Sequence, residues 1–148
     1  MRQIRNFVNG RFVDGIRVFD DISPVDGSVT AQVHEAGREL VDQAVSAART
    51  ALEGAWGRTP TQERARLLRR IADGIEARFE DFVAAEVADT GKTVVQARSL
   101  DVARASANFR SFADTVAAAG QSSFLPELPG GRSALNYAVR KPPDVVAL

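Results

Sequence analysis

Near Arg38 the apolar residues of this chain change period, and that change limits the fold more than any other feature. Upstream, Val29, Ala31 and Val33 alternate with polar residues, the period-two signature of a strand with one buried face. Downstream, Val41, Ala44, Val45, Ala48 and Leu52 recur at i, i+3, i+4, i+7 and i+11, a single apolar stripe on a helix. The alternating part also holds a hairpin signal, because Phe7-Val8 and Phe12-Val13 flank Asn9-Gly10. Asn-Gly suits a tight turn with positive φ at both central positions. Ser23-Pro24-Val25-Asp26-Gly27 forms a second turn cluster.

Helical punctuation follows. Gly54 is placed to end the first helix. Thr59 as N-cap, Pro60 at the first helical position and Gln62 at the third fit a capping box. Leu68, Ile71, Ile75, Phe79, Phe82 and Val83 then give an apolar face, with a break near Arg78 and an end at Gly91. A last helix is expected from about Val94 to Ala118, its stripe made of Val102, Ala105, Phe109, Phe112, Ala113 and Val116. The segment QSSFLPELPGGR reads as a closing loop. Two apolar runs, Leu135–Arg140 and Val145–Leu148, read as strands. The order is strands, three or four helices, strands, with the strands of the two ends finding partners only in each other. The result is mostly α-helical with β-hairpins and strands at both ends, and too little β sequence for a full α/β layer.

Composition narrows the function classes. The chain has 148 residues, enough for one ordinary domain. Lys+Arg and Asp+Glu balance at 19 each, so net charge gives no case for a nucleic acid or an anionic membrane as partner. No apolar run reaches the roughly 20 residues of a membrane helix. The opening MRQIRNFVNG lacks the apolar core of a secretory signal, which makes the cytoplasm the expected location. There is no cysteine, so the chain supplies no thiolate nucleophile or thiolate metal ligand.

Candidate chemistry is sparse. Gly91-Lys92-Thr93 has the ending of a phosphate-binding loop, but the position five residues before Gly91 is Glu86 and the stretch follows a helix. Helix capping by Gly91, followed by a basic residue, explains it better. His34 is the only histidine, has no Cys or Ser partner pattern, and reads as a surface or strand-end residue. Glu86 and Asp89, three apart, share a helix face and could handle protons or a cation. A solvated or capping role explains them more simply. Arg98, Arg104 and Arg110 recur every six residues, and a guanidinium can clamp a carboxylate. Periodicity does not single out Arg104, which lies off the Phe109/Phe112 stripe and could pair with Asp101 at i, i+3.

The order of motifs adds what spacing does not. NFVNGRFV, SPVDGSVTAQVHEAG, VDQAVSAARTAL, GAWGRTPTQERARLLRRIADGI, EVADTGKT and SALNYAVRKPPDVVAL together resemble the amino-terminal portion of the aldehyde dehydrogenase superfamily. DTGK, LDVARASANFRSFAD and ALNYAVRKP are most similar to its muconic semialdehyde subgroup. The resemblance implies a truncated α/β fold. Residues 1–132 would be the amino-terminal part of an NAD-binding domain, and 133–148 the start of a β oligomerisation arm. It implies that Arg104 faces a substrate carboxylate, and that Asp89 with the main chain of Ile22 holds a monovalent cation. It implies NAD as cofactor of the complete enzyme, which oxidises a semialdehyde through a thiohemiacetal on cysteine. This chain alone is expected neither to bind NAD nor to react. Asp144 stands where the family has glycine, so the turn there is expected to distort. Self-association through the terminal strands is expected, or completion by a second polypeptide as in a split enzyme. A stand-alone helical interaction module is the alternative.

Overall fold

The computed structural model describes residues 1–120, 122–141 and 144–146. The first third is built from five strands: β1 (Arg2–Ile4), β2 (Asn6–Val8), β3 (Arg11–Val13), β4 (Arg17–Ile22) and β5 (Val29–Glu35). β2 and β3 form the hairpin expected from Asn-Gly, with Asn9 and Gly10 both at positive φ, 49° and 77°. The larger sheet runs β1-β5-β4, with β1 parallel and β4 antiparallel to the central β5. Ala31, the middle of the predicted alternation, is buried on β5. The amino-terminal strands therefore pair among themselves and not with the carboxy-terminal ones. The physical reason is the hairpin and β4 between β1 and β5, which give the chain enough length to return β1 alongside β5 in parallel.

Four helical stretches follow: α1 (Arg38–Glu53), α2 (Thr61–Ala77), α3 (Phe79–Thr90), and a bent rod of α4 (Val94–Gln96), a π-helical turn (Ala97–Val102) and α5 (Ala103–Ala118). α1 ends at Gly54 and α3 at Gly91, as the sequence indicates. The break at Arg78 is present, with φ −118° and ψ 29° separating α2 from α3. The capping box is not. Pro60 is the N-cap of α2, and the Thr59 hydroxyl turns back to donate to the Ala55 carbonyl. Arg64 takes over the entry to the helix, donating to the carbonyls of Trp56, Gly57 and Thr59 while stacking on the Trp56 ring.

α2 packs along α5, and the residues buried in that seam are small: Ala65 and Ala72 from one helix, Ser106 and Ala113 from the other. Small contact residues let two helices approach closely. The larger stripe residues Ile71 and Phe112 are exposed instead, at 44% and 62%. The periodicity finds the right helices but gives the wrong ranking of their faces. The apolar centre lies where α2 ends, with Val83, Ala97 and Val102 buried and Ile75, Phe79 and Val87 packed against them.

The predicted closing loop is a nested ladder. β7 (Glu127–Leu128) and β8 (Arg132–Ser133) meet across Gly130-Gly131, both at positive φ, inside β6 (Ser123–Phe124) and β9 (Asn136–Tyr137). This ladder spans the 132/133 division that the resemblance suggests. Of the predicted run Leu135–Arg140, only Asn136–Tyr137 is strand. Of the run Val145–Leu148, Val145 and Val146 are not strand, and Ala147 and Leu148 lie outside the described residues. Asp144 takes φ 81°, a left-handed conformation that glycine adopts most readily. Aspartate is among the few residues that visit that region.

The α2–α5 seam is closed by charge at one end. Arg110 donates to Glu76 and Asp73, and the buried Ser106 hydroxyl donates to Glu76. The Arg110 bonds, then that of Ser106, hold the Glu76 carboxyl below the usual carboxylate range. A carboxyl lowered by folding stabilises the folded state above its unfolded pKa, and that contribution is lost as pH falls through its folded value. Urea melts across the acid range should therefore show stability falling with pH, and a shallower fall in Glu76→Gln.

Candidate functional site

The chemistry-bearing residues gather around the end of α3 and the π-helical turn. Gly91 ends α3 at φ 70°, a left-handed position, with its amide donating to the Val87 carbonyl. Thr93 caps α4 by accepting from the Gln96 amide. Between them Lys92 folds back, its Nζ 2.9 Å from Glu86 Oε1 and 3.0 Å from Asp101 Oδ2. All three side chains are about one-third exposed or less. Those two bonds, first Glu86 and then Asp101, raise the Lys92 ammonium above the ordinary lysine range. The capping reading of Gly91-Lys92-Thr93 therefore holds, and the lysine is committed to carboxylates rather than free for a phosphate. Sequence reasoning gave Lys92 no role beyond its charge.

The three arginines differ in a way their spacing conceals. Arg98 pairs with Glu80 in α3, and Arg110 with Glu76 and Asp73 in α2. Arg104 is exposed at the start of α5 and has no ion pair among the described residues. The suggested Arg104–Asp101 pair does not form, because Asp101 faces Lys92. The π-helical turn contributes to this. An α-helix advances each residue by about 100°. A π turn advances it by less, so residues at i and i+3 lie further apart around the axis. The turn was not read from the sequence, although Ala97 and Val102 carry its i, i+5 spacing and are both buried.

Asp89 lines an open cleft of about 260 Å³ with Arg2, Asp21, Thr30, Phe82 and Glu86. A β-bulge between Asp21 and Ile22 adjoins it, and the Thr30 hydroxyl donates to both the main-chain carbonyl and the carboxylate of Asp21. Ile22 is not among the lining residues, and no group of three His, Cys, Asp or Glu residues within metal-binding reach occurs among the described residues. Glu86 and Asp89 separate in role, since Glu86 is taken by Lys92 and Asp89 is exposed. His34 is a strand-end residue, one position from the end of β5, and is largely covered rather than on the surface. Its Nδ1 accepts from the Gly15 amide, its Nε2 lies 3.1 Å from Gln3 Oε1, and its side chain is 13% exposed. The sequence contains no G-x-G-x-x-G dinucleotide fingerprint. No helix of the described residues is long and apolar enough to cross a membrane.

This arrangement of strands and helices matches part of several solved aldehyde dehydrogenases. An NAD+ complex of an aldehyde dehydrogenase from Bacillus cereus matches with TM-score 0.79 and 35% identity, over 83% of this chain and 26% of that one. PnpE from Pseudomonas sp. WBC-3 matches with TM-score 0.80 and 36% identity, over 93% and 27%. The family model described as the aldehyde dehydrogenase family matches residues 12–148, and the chain belongs to that family. A 2-aminomuconic 6-semialdehyde dehydrogenase from Pseudomonas sp. is 53% identical over 148 residues, all of this chain and 30% of the relative. A 2-hydroxymuconic semialdehyde dehydrogenase from Pseudomonas sp. (strain CF600) is 47% identical over 150 residues, all of this chain and 31% of the relative. The chain thus spans about 30% of the length of the relatives it matches.

Gly91 carries a double requirement. A Cβ there would lie 2.9 Å from Pro24 Cγ and 3.1 Å from Val25 Cγ2, on a backbone at φ 70°. Gly91→Ala should lower stability by about 1–2 kcal/mol, the scale of a left-handed penalty, read as a shift in denaturation midpoint.

Proposed function

We propose that this chain is the amino-terminal part of an NAD-dependent dehydrogenase that oxidises a muconic-type semialdehyde to the acid. In this reading Arg104 receives the carboxylate at the far end of the substrate. The observation that carries it is the state of the three arginines: two are neutralised by carboxylates and Arg104 is left free. A muconic semialdehyde keeps one carboxyl group, and the printed names of the relatives denote such substrates. A guanidinium fork matches a carboxylate in geometry and charge.

The chain's part in the reaction is recognition and orientation. Clamping the carboxylate fixes one end of an extended substrate, which limits where its aldehyde can lie. NAD, bound elsewhere in the full-length enzyme, would accept the hydride. The thiol nucleophile also comes from elsewhere, because this sequence has no cysteine. Asp89, exposed at its cleft, together with the main chain at Ile22, would hold a monovalent cation, and the short ladders β6–β9 and β7–β8 would meet another copy of the enzyme. An unpaired strand edge offers free N–H and C=O groups to such a partner.

In a full-length dehydrogenase carrying this chain, Arg104→Ala should raise KM for the semialdehyde with little change in kcat. A hydrogen bond to a charged group contributes about 1.5–3 kcal/mol, corresponding to roughly ten- to a hundredfold. An unchanged KM would reject the assignment. The purified chain alone, given NAD and a semialdehyde, should produce no NADH absorbance. Turnover by the pure chain would show that it needs no further residues.

A further inference from the structure

We infer that Lys92 is a specificity-positioning residue: by holding Asp101 it keeps Arg104 free for an anionic substrate. This rests on the proposed role of Arg104. Asp101 and Arg104 are three residues apart, a spacing at which opposite charges pair on a helix surface. Nothing else in the described structure pairs with Arg104, so Asp101 is its natural internal competitor. The competitor is turned away twice. Lys92 Nζ binds Asp101 Oδ2 at 3.0 Å, and the π-helical turn of Ala97–Val102 carries Asp101 around the axis from Arg104. Lys92 can reach Asp101 because Gly91 reverses the chain at the end of α3. Glu86 supplies its second anchor, at 2.9 Å. The local charge count agrees: one ammonium faces two carboxylates, so losing Lys92 leaves the Asp101 carboxylate without its cation and free to turn toward a guanidinium three residues on.

The test uses the full-length dehydrogenase carrying this chain, with a carboxylate-bearing semialdehyde and a neutral aldehyde of equal length as substrates. Lys92→Met should raise KM for the semialdehyde about two- to fivefold, the scale of an exposed ion pair, with kcat and the neutral substrate unchanged. Adding Asp101→Asn should restore the original KM, because no carboxylate is left to occupy Arg104. Lys92→Arg and Asp101→Asn alone should behave as the parent. A double variant as weak as Lys92→Met, or weaker, would make Lys92 a tether only and overturn the inference. An unchanged KM in Lys92→Met, where Arg104→Ala raises it, would overturn the inference and leave the Arg104 reading intact. An unchanged KM in Arg104→Ala would remove both. If Lys92→Met does not fold, the Lys92→Gln variant carries the same comparison.

Discussion

The close seam between α2 and α5 is the constraint on which α3 and the π-helical turn depend. It is lined by Ala65, Ala72, Ser106 and Ala113, so the helices meet through small side chains rather than large apolar ones. Close approach brings Glu76 and Asp73 of one helix against Arg110 of the other, and these charges fix the sliding register. With α5 held there, the π-helical turn must lie over the end of α2, where Val83, Ala97 and Val102 form the apolar centre. α3 follows the break at Arg78 into the same centre and delivers Gly91 and Lys92 beside Asp101. The site is therefore a consequence of helix packing, not of a separate loop.

The charges near the site show how a protein keeps one cation available. Arg98 and Arg110 join helices together, and each is saturated by carboxylates from a neighbouring helix. Arg104 has the same side chain on the same rod but no ion pair among the described residues. Its closest competitor in sequence, Asp101, is bound by Lys92. Availability of this kind depends on the neighbours of the residue more than on the residue itself. Large apolar side chains, among them Phe19, Ile71, Phe112 and Tyr137, are left exposed.

Much of the architecture could be read from local rules. The Asn9-Gly10 hairpin, the strand through Ala31, the helix limits at Gly54 and Gly91 and the break at Arg78 all follow from period and turn chemistry. Local rules failed where a competitor was invisible to them. Thr59 had the right spacing for a cap, yet its hydroxyl donates back to the Ala55 carbonyl instead of accepting from the helix. QSSFLPELPGGR read as a closing loop, yet it holds a hairpin of β7 and β8 across Gly130-Gly131. The Arg104–Asp101 pair had the right spacing, and a lysine from the preceding turn prevented it.

The sequence by itself determined the kinds of element, their order, the absence of a thiol and the family resemblance, because these depend on residues near one another or on the motifs as a series. Only the tertiary structure decided that β1 lies parallel to β5, that small residues rather than Ile71 and Phe112 form the helix seam, and that one arginine of three is unpaired. Those outcomes rest on contacts between residues distant in sequence, and the energy of such a contact depends on every other group that could have taken its place.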